Sequence, residues 1–340
     1  MDLVSHSPTI DLKTVSRLLR NTYGLEGTLD PLPSERDQNF LITTESTAKF
    51  VLKIANSNET RSFLEAQNEA LNYVASQLSF SPRLIPTREG AQVSQIASGK
   101  DTLLVRLVSY IDGEPLAKVA SQDPELLHDL GRKLGRFDRV MESFERSAFH
   151  RDFHWDLVNG PQVLSDHVDL ISDVDLRRLI ELFAKRFVTD FAPLEKGLRR
   201  SVIHGDANDY NIIVRDNRIV GLIDFGDMVH SYTVGDLAIG IAYVVTRRDP
   251  LLAATAVVGG YVKEYSLNEA ELGVLWDLTM LRLCMSVCLS AYQQSRKPGN
   301  NYLSISQRAI RESLPELMKI NPDRAAEQFH LSSLKSGRTN

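Results

Sequence analysis

The chain has 340 residues, 43% of them hydrophobic, which is enough for a large buried core and for two domains or two lobes. Its formal net charge is -5 and it has no basic cluster, which argues against nucleic acid as a partner. It does not open with a basic region followed by an apolar stretch, and it has no run of about 18 apolar residues, so we expect a soluble, cytoplasmic protein that does not bind membranes.

The first third of the chain has the pattern of a small sheet with two helices. Apolar spacing predicts a helix over 14–23, strands over 29–32, 40–43 and 49–54, a helix over 59–78, and strands over 92–96 and 103–110. The loop over 34–39, SERDQN, contains no glycine, so it cannot approach a phosphate in the way a glycine-rich loop does. Lys53 lies inside an apolar strand, where a charged side chain is usually solvated at an edge.

The middle of the chain begins with a clear helix start. Asp123 as N-cap and Pro124 at the first position predict a long helix to about residue 144. The segment 149–157, FHRDFHWDL, is dense in polar and aromatic groups, but its two histidines and two aspartates have no spacing that fixes a tetrahedral metal site. We interpret it as a surface loop that contributes to a substrate pocket, with ordinary loop packing as the alternative.

The segment 201–227, SVIHGDANDYNIIVRDNRIVGLIDFGD, has three apolar runs and a turn signal at 216–217, which predict a hairpin with one acidic loop at each end. Asn211 follows Asp206 by five positions, and Asp224 follows it by 18, at the end of the second hairpin strand. Phosphoryl transfer needs a base or orienter for the attacking hydroxyl and oxygen ligands for Mg²⁺. We predict that Asp206 is the base and that Asn211 and Asp224 are the metal ligands.

The remainder is predicted to be mostly helical. Apolar spacing predicts helices over 176–191, 234–245, 250–265, 268–294 and 304–320, with a break at 297–301 and a polar, disordered tail. Cys284 and Cys288 are four apart in a helical pattern, and we interpret them as buried free thiols rather than as half of a metal site or a disulfide.

HGDANDYN followed by LIDFGD matches the catalytic-loop and Asp-Phe-Gly pattern of protein kinases, with Gly205 where those have arginine. This combination of motifs resembles the aminoglycoside phosphotransferase and choline kinase family. The alternative interpretation is an acidic hairpin that matches by coincidence, since Asp and Asn are ordinary turn formers. RDFHWDL, LIDFGDM and KPGNNYLSIS make the chain most similar to the hydroxylysine kinase branch. The resemblance implies an α+β, bilobal, protein-kinase-like fold, with a small antiparallel-sheet lobe over 1–110 and a large helical lobe over 111–330. The polar composition of the end of the chain predicts a disordered tail over 331–340.

The same resemblance implies roles for residues of the small lobe. Lys53 matches the lysine that contacts the nucleotide phosphates and pairs with a helix glutamate. Glu69 best matches that glutamate, and Glu65 is the competitor. The backbone of the last strand would hold the purine, at Leu107, Val108 and Tyr110. In the large lobe, Asp236 matches an aspartate that binds the catalytic-loop backbone, although an N-cap would explain it equally well.

The implied reaction is transfer of the γ-phosphoryl of ATP or GTP, with Mg²⁺, to an amino alcohol or a hydroxy amino acid such as 5-hydroxylysine. Homoserine, choline, ethanolamine and aminoglycosides are alternative acceptors, and a catalytically inactive nucleotide-binding protein is an alternative of another class. The acceptor amine would meet one of three carboxylates: Asp156, Asp209 or Asp227. A substrate carboxylate would meet Arg151, which lies beside Trp155. The oligomeric state stays open.

Overall fold

The computed structural model describes residues 8–99, 101–247, 249–296 and 307–337. The chain divides into two compact units, Met1–Asp112 and Gly113–Asn340. The boundary predicted from the sequence, between residues 110 and 111, lies two residues before this division. The first unit is built on a sheet and the second is mostly helical, which confirms the predicted α+β class.

An antiparallel sheet forms the core of the first unit. Its strands are β1 Gly27–Leu32, β2 Gln38–Thr44, β3 Lys49–Ile54, β4 Leu84–Ile85, β5 Ser94–Ser98 and β6 Asp101–Ser109. The strand order is β1-β2-β3-β6-β4, and β5 also pairs with β6. The five predicted strands are confirmed within a few residues, whereas β4 has two residues and is too short to show an apolar pattern.

Two helices accompany this sheet in the described part of the first unit. Helix α1 spans Leu12–Leu18 and continues as a π-helical turn, Leu19–Tyr23. The turn ends at Gly24, whose φ of 68° is in the left-handed region that glycine adopts readily. Helix α2 spans Arg61–Gln77 and is capped by the side chain of Thr60. Both predicted helices are therefore confirmed.

The helices of the second unit are α3 Pro124–Met141, α4 Gly160–His167, α5 Val174–Glu195, α6 Val234–Val244, α7 Pro250–Tyr261, α8 Glu269–Arg296, α9 Gln307–Leu317 and α10 Pro322–Gly337. Helix α3 begins as predicted, because the side chain of Asp123 accepts a hydrogen bond from the backbone N–H of Leu126 at 2.8 Å. Residues 297–306, which hold the predicted break, the first part of the last predicted helix and the KPGNNYLSIS motif, lie outside the described residues.

Helix α8 is the central element of the second unit. It is long and apolar enough to cross a membrane, but 94% of its apolar window is buried inside the protein, as in a core helix. Cys284 and Cys288 are both buried free thiols, as the sequence predicted.

The disordered tail predicted from residue 331 is wrong as far as residue 337. Helix α10 runs through this stretch to Gly337. Ala325 and Phe329 are fully buried and anchor the helix, and the hydroxyl of Ser332 donates to the carbonyl oxygen of Thr255 in α7 at 3.2 Å. The polar composition of the tail therefore reflects the solvent-facing side of a helix rather than disorder.

Two small sheets carry the acidic loops of the second unit. Their strands are β7 Glu114–Pro115, β8 Arg200–Ile203, β9 Ile212–Arg215, β10 Arg218–Leu222 and β11 Val229–Tyr232. Strands β9 and β10 form the predicted hairpin, turning at Asp216 and Asn217, which both have positive φ (51° and 56°). Strand β8 pairs with β11 instead of joining that hairpin.

Candidate active site

The loop between β8 and β9, residues 204–211, is fixed from below by a buried carboxylate. Asp236 accepts hydrogen bonds from the backbone N–H groups of His204 at 2.7 Å and Gly205 at 2.8 Å. The predicted contact between Asp236 and the loop backbone is therefore confirmed, and the alternative role as an N-cap is not needed. A Cβ at position 205, where φ is 78°, would lie 2.6 Å from the carbonyl oxygen of Asp227, so the arginine of the protein-kinase pattern cannot fit here.

His204 supports the loop and does not face the reaction centre. Its Nε2 lies 3.0 Å from the carbonyl oxygen of Ile223 and its Nδ1 lies 3.3 Å from the backbone N of Asp206, which assigns the proton to Nε2. The ring packs edge-on against Phe137 and Phe225 and is fully buried. Burial lowers the pKa of His204, so the imidazole stays neutral.

Asp206 is the most heavily engaged carboxylate of the loop. Its Oδ2 accepts from the amide groups of Asn208 at 2.9 Å and Asn211 at 2.8 Å. Its Oδ1 accepts from Arg282 at 2.6 Å. Burial raises the pKa of Asp206 to about 7; Arg282 opposes this rise, and the charge of Asp227 adds to it. The carboxylate is thus fixed in orientation, with one lone pair of Oδ1 not used by these donors.

The sequence did not predict Arg282, although it is the direct partner of Asp206. It lies in α8 between two leucines, and its side chain is 2% exposed. Its guanidinium stacks on the ring of Trp155 at 4.4 Å, and its Nη1 lies 3.4 Å from the carbonyl oxygen of the same residue. A single arginine inside an apolar helix needs an anionic partner, and this was the signal in the sequence that could have indicated it.

Asn211 and Asp224 present oxygen atoms suited to a hard cation. The Nδ2 of Asn211 is bound to the backbone oxygen and the carboxylate of Asp206, which turns its Oδ1 away from that residue. The backbone oxygen of Asn211 accepts from the N–H of Ile223, which places Asp224 next to it. Asp224 is exposed and has φ 63° and ψ 73°, a strained backbone for a residue other than glycine. An amide oxygen and a carboxylate match the ligand preference of Mg²⁺.

The structure distinguishes the three carboxylates that were candidates for the acceptor amine. Asp156 caps a short helical turn and accepts from the hydroxyl of Ser231. Asp209 lies 4.0 Å from Arg247, and burial raises its pKa to about 6. Asp227 is 9% exposed, and its charge acts on both Asp206 and His204. Asp156 is thus held by Ser231, Asp209 keeps one buried carboxylate oxygen without a hydrogen bond, and Asp227 contributes to the electrostatic environment of the loop.

The segment 149–157 reaches the site at two points. Trp155 covers Arg282, as described above. Arg151 donates to the carbonyl oxygen of Gly226 at 3.3 Å, and its guanidinium lies 4.1 Å from the centre of the Phe153 ring. This segment therefore packs against both the partner of Asp206 and the turn that follows Asp224.

In the first unit, the candidate nucleotide-binding residues lie on β3, β6 and α2. Lys53 is half-buried and lies opposite Arg106 in the antiparallel register of β3 and β6. The Arg106 guanidinium donates to the side chain of Asn68 at 3.1 Å. Glu69 and Glu65 are both exposed on α2, and Glu65 lies 3.5 Å from Arg61.

The strand that was predicted to hold the purine is paired along both edges. The backbones of Leu107 and Val108 lie between β3 and β4. The N–H of Tyr110 donates to the carbonyl oxygen of Lys49 at 3.3 Å. Any hydrogen bond from the backbone of Leu107 or Val108 to a purine would therefore compete with the hydrogen bonds that join β6 to β3 and β4.

Three comparisons place this geometry among known proteins. The model of the phosphotransferase enzyme family matches residues 28–268. Hydroxylysine kinase of Danio rerio is 28% identical over 351 aligned positions, covering 98% of each chain. An amicoumacin kinase, solved with AMP-PNP, Ca²⁺ and Ami, superposes with a TM-score of 0.71 at 16% identity, covering 93% of this chain and 97% of that one. A microcompartment-associated aminopropanol kinase superposes with a TM-score of 0.64 at 17% identity, covering 95% and 98%.

Proposed function

Because this chain belongs to the phosphotransferase enzyme family and acts on an alcohol group, we propose that its acceptor is an amino alcohol or a hydroxy amino acid such as 5-hydroxylysine, with ATP or GTP as donor. The observation that carries the proposal is the loop 204–211, in which Asp206 is oriented by Arg282, Asn208 and Asn211. The similarity to hydroxylysine kinases over the whole chain supports the choice of acceptor.

Asp206 orients the acceptor hydroxyl and accepts its proton. The Oδ2 atom receives two amide donors, whereas Oδ1 receives one donor, from Arg282, so we assign proton acceptance to Oδ1. A burial-raised pKa near the working pH suits a group that must take up a proton during the reaction. General-base catalysis of this kind contributes about 10²- to 10⁴-fold in rate.

Asn211 and Asp224 would hold Mg²⁺ through their side-chain oxygens. An ion held by these two side chains would supply positive charge that neutralises the charge developing on the transferred phosphoryl group. Asn211 is positioned for this role by Asp206, and Asp224 by its strained backbone. Lys53 and Glu69 of the first unit are proposed to serve the phosphates, and we move the purine contact to the backbone that follows Ser109, since the preceding strand is paired.

Acceptor recognition is proposed for the turn after Asp224 and for the segment 149–157. Asp227 is the carboxylate that we assign to the substrate ammonium. Its charge acts on Asp206, so it lies close enough to the proposed base to meet an amine near the reacting hydroxyl. Arg151 is assigned to a substrate carboxylate, since its guanidinium donates to the carbonyl of the neighbouring Gly226 and can bind a carboxylate bidentately. An anionic and a cationic side chain near one turn would suit a zwitterionic hydroxy amino acid.

A panel of acceptors tests the proposal. The full chain is assayed with 5-hydroxylysine, 1-amino-2-propanol, ethanolamine, homoserine, choline and an aminoglycoside, each with ATP and with GTP, and Asp206→Asn is the inactive control. We expect the highest kcat/KM with 5-hydroxylysine or an amino alcohol. Turnover confined to choline or the aminoglycoside would refute the acceptor class. Nucleotide binding without turnover of any acceptor would favour a catalytically inactive nucleotide-binding protein.

A further inference from the structure

Three side chains that can bind a metal meet on the surface of the second unit. Glu145, His150 and His230 offer one carboxylate oxygen and two imidazole nitrogens, and these atoms all lie within 4.8 Å of one another. Glu145 Oε1 lies 2.6 Å from His150 Nε2, and its Oε2 lies 3.9 Å from His230 Nε2. The two imidazole rings stack with their centroids 4.1 Å apart and their planes at 21°. Both Nε2 atoms therefore face one carboxylate.

The backbone holds these side chains together. The N–H of His150 donates to the carbonyl of Ser147 at 3.1 Å, at the end of the short helical turn Ser147–Phe149, which begins two residues after Glu145. His230 lies in β11 opposite Val202 of β8, so its position is fixed by strand pairing. The cluster thus joins a turn and a strand that are 80 residues apart in the sequence.

We propose that Glu145, His150 and His230 bind a divalent transition-metal ion of the zinc class. Nitrogen and oxygen ligands lie about 2.0–2.2 Å from Zn²⁺ in a tetrahedral site, which separates neighbouring ligand atoms by about 3.3–3.6 Å. The observed separations of 2.6 Å and 3.9 Å bracket that value, and the site forms when the two stacked imidazole rings rotate until both Nε2 lone pairs point at one ion. Imidazole ligands select zinc-class ions over Mg²⁺, and water would fill the fourth position.

This site differs from the proposed Mg²⁺ site in its donor atoms and shares no residue with it. Two of its three donors are imidazole nitrogens, whereas Asn211 and Asp224 offer only oxygen. The neighbouring cation Arg200 is paired with Glu195 at 3.4 Å, which reduces its repulsion of a metal ion. The inference does not depend on which acceptor the enzyme uses.

Metal binding would join the turn over 145–150 to β11. Strand β11 begins two residues after Asp227, and Arg151, which follows His150 directly, donates to the carbonyl of Gly226. Both side chains that we assign to acceptor recognition thus flank the metal site. A bound ion would restrain this region, and thermal unfolding would report the restraint as a higher Tm.

Titration of Zn²⁺ into the full chain, measured by calorimetry in excess Mg²⁺, tests the proposal, because excess Mg²⁺ competes with Zn²⁺ for oxygen ligands but not for imidazole nitrogens. We expect one zinc ion per chain, with binding weakened at least about 10-fold in His150→Gln and His230→Gln. His167→Gln is the matched control, since His167 is also a stacked surface histidine, 4.6 Å from the ring of Tyr292. It should bind Zn²⁺ as the wild type does.

The His150 side chain is 50% exposed and lies in a turn, so His150→Gln is expected to fold, and metal-free thermal unfolding verifies this. At a Zn²⁺ concentration that saturates the wild type, Zn²⁺ should raise the Tm of the wild type and of His167→Gln equally, and raise that of His150→Gln by less. No saturable Zn²⁺ binding by the wild type would overturn the proposal. Equal binding by the wild type and by His150→Gln would overturn it as well, because the ion would then lie elsewhere.

Discussion

Replacing Arg282 by methionine perturbs the proposed site at its most buried point. The substitution keeps most of the apolar volume and removes the charge that lies 2.6 Å from Asp206. The Arg282 side chain is 2% exposed, and removing one partner of such a buried pair costs about 3–5 kcal/mol, since the other charge is left without compensation. We therefore expect the free energy of unfolding to fall by about this amount at high pH.

The loss should depend on pH in a defined direction. Burial raises the pKa of Asp206 to about 7 even with Arg282 present, and Arg282 is the largest influence that lowers it. Without the guanidinium this pKa rises further. A carboxyl whose folded pKa is raised stabilises the fold at low pH, and that contribution is lost as the pH rises through the folded pKa. The gap between wild type and Arg282→Met should thus widen above about pH 7, where the wild-type carboxyl has ionised and the variant has not.

Thermal unfolding of the metal-free chain from acidic to alkaline pH measures the gap, and steady-state kinetics gives kcat. We expect a kcat loss of about 10²-fold, as for a reacting group displaced by about 1 Å, with nucleotide affinity unchanged. Arg282→Lys keeps the charge but loses the planar fork, so it should lie between the wild type and Arg282→Met in both measurements. Wild-type stability at every pH together with wild-type kcat in Arg282→Met would refute the positioning role.

Four further predictions follow from the same geometry. Asp206→Asn should lower kcat by about 10²- to 10⁴-fold with little change in nucleotide Kd, and unchanged turnover would remove this residue from the mechanism. Asp224→Ala should abolish turnover and weaken nucleotide binding in Mg²⁺, so tight metal-dependent binding in calorimetry would contradict its role as a ligand. Burial and the charge of Asp236 raise the pKa of Asp138, so the stability of the wild type should fall as the pH rises above about 4. The Tm of Asp138→Asn relative to that of the wild type should therefore increase with pH. A Tm difference that is the same at every pH would argue against a protonated Asp138. Arg151→Met should raise KM for 5-hydroxylysine far more than for ethanolamine, which has no carboxylate, and an equal effect on both would rule out the carboxylate role.

The parts of the site that could be predicted are those that local chain geometry determines. The Asp123 cap and the hairpin turn at Asp216 and Asn217 depend on neighbouring residues, and both are as the sequence indicated. The spacing of Asp206 and Asn211 is likewise contained in one short loop, in which the two side chains touch. Short-range patterns carry this information because side chains a few positions apart have few ways to be arranged.

The parts that could not be predicted depend on contacts between distant segments. Arg282 is 76 positions from Asp206, and nothing in the helical pattern of α8 indicates which anion it meets. The segment 149–157 showed no metal spacing on its own, and His150 gains its metal-binding partners from Glu145 and from a strand 80 residues later. The tail was misinterpreted for a similar reason, since α10 is held by contacts with α7 that composition does not show.

The buried charges of the second unit support the proposed reaction centre without reference to any motif. Asp138 and Asp236 are fully buried near the loop, and Arg282 is 2% exposed. Replacing buried ion pairs by apolar side chains is often neutral or stabilising, so stability alone gives no reason for placing them there. Each has a positional effect instead: Asp236 binds two N–H groups of a turn at positive φ, and Arg282 fixes the orientation of Asp206. Asp206 combines a pKa raised to about 7 with partners that fix its orientation, and this combination supports the catalytic role that we propose for it.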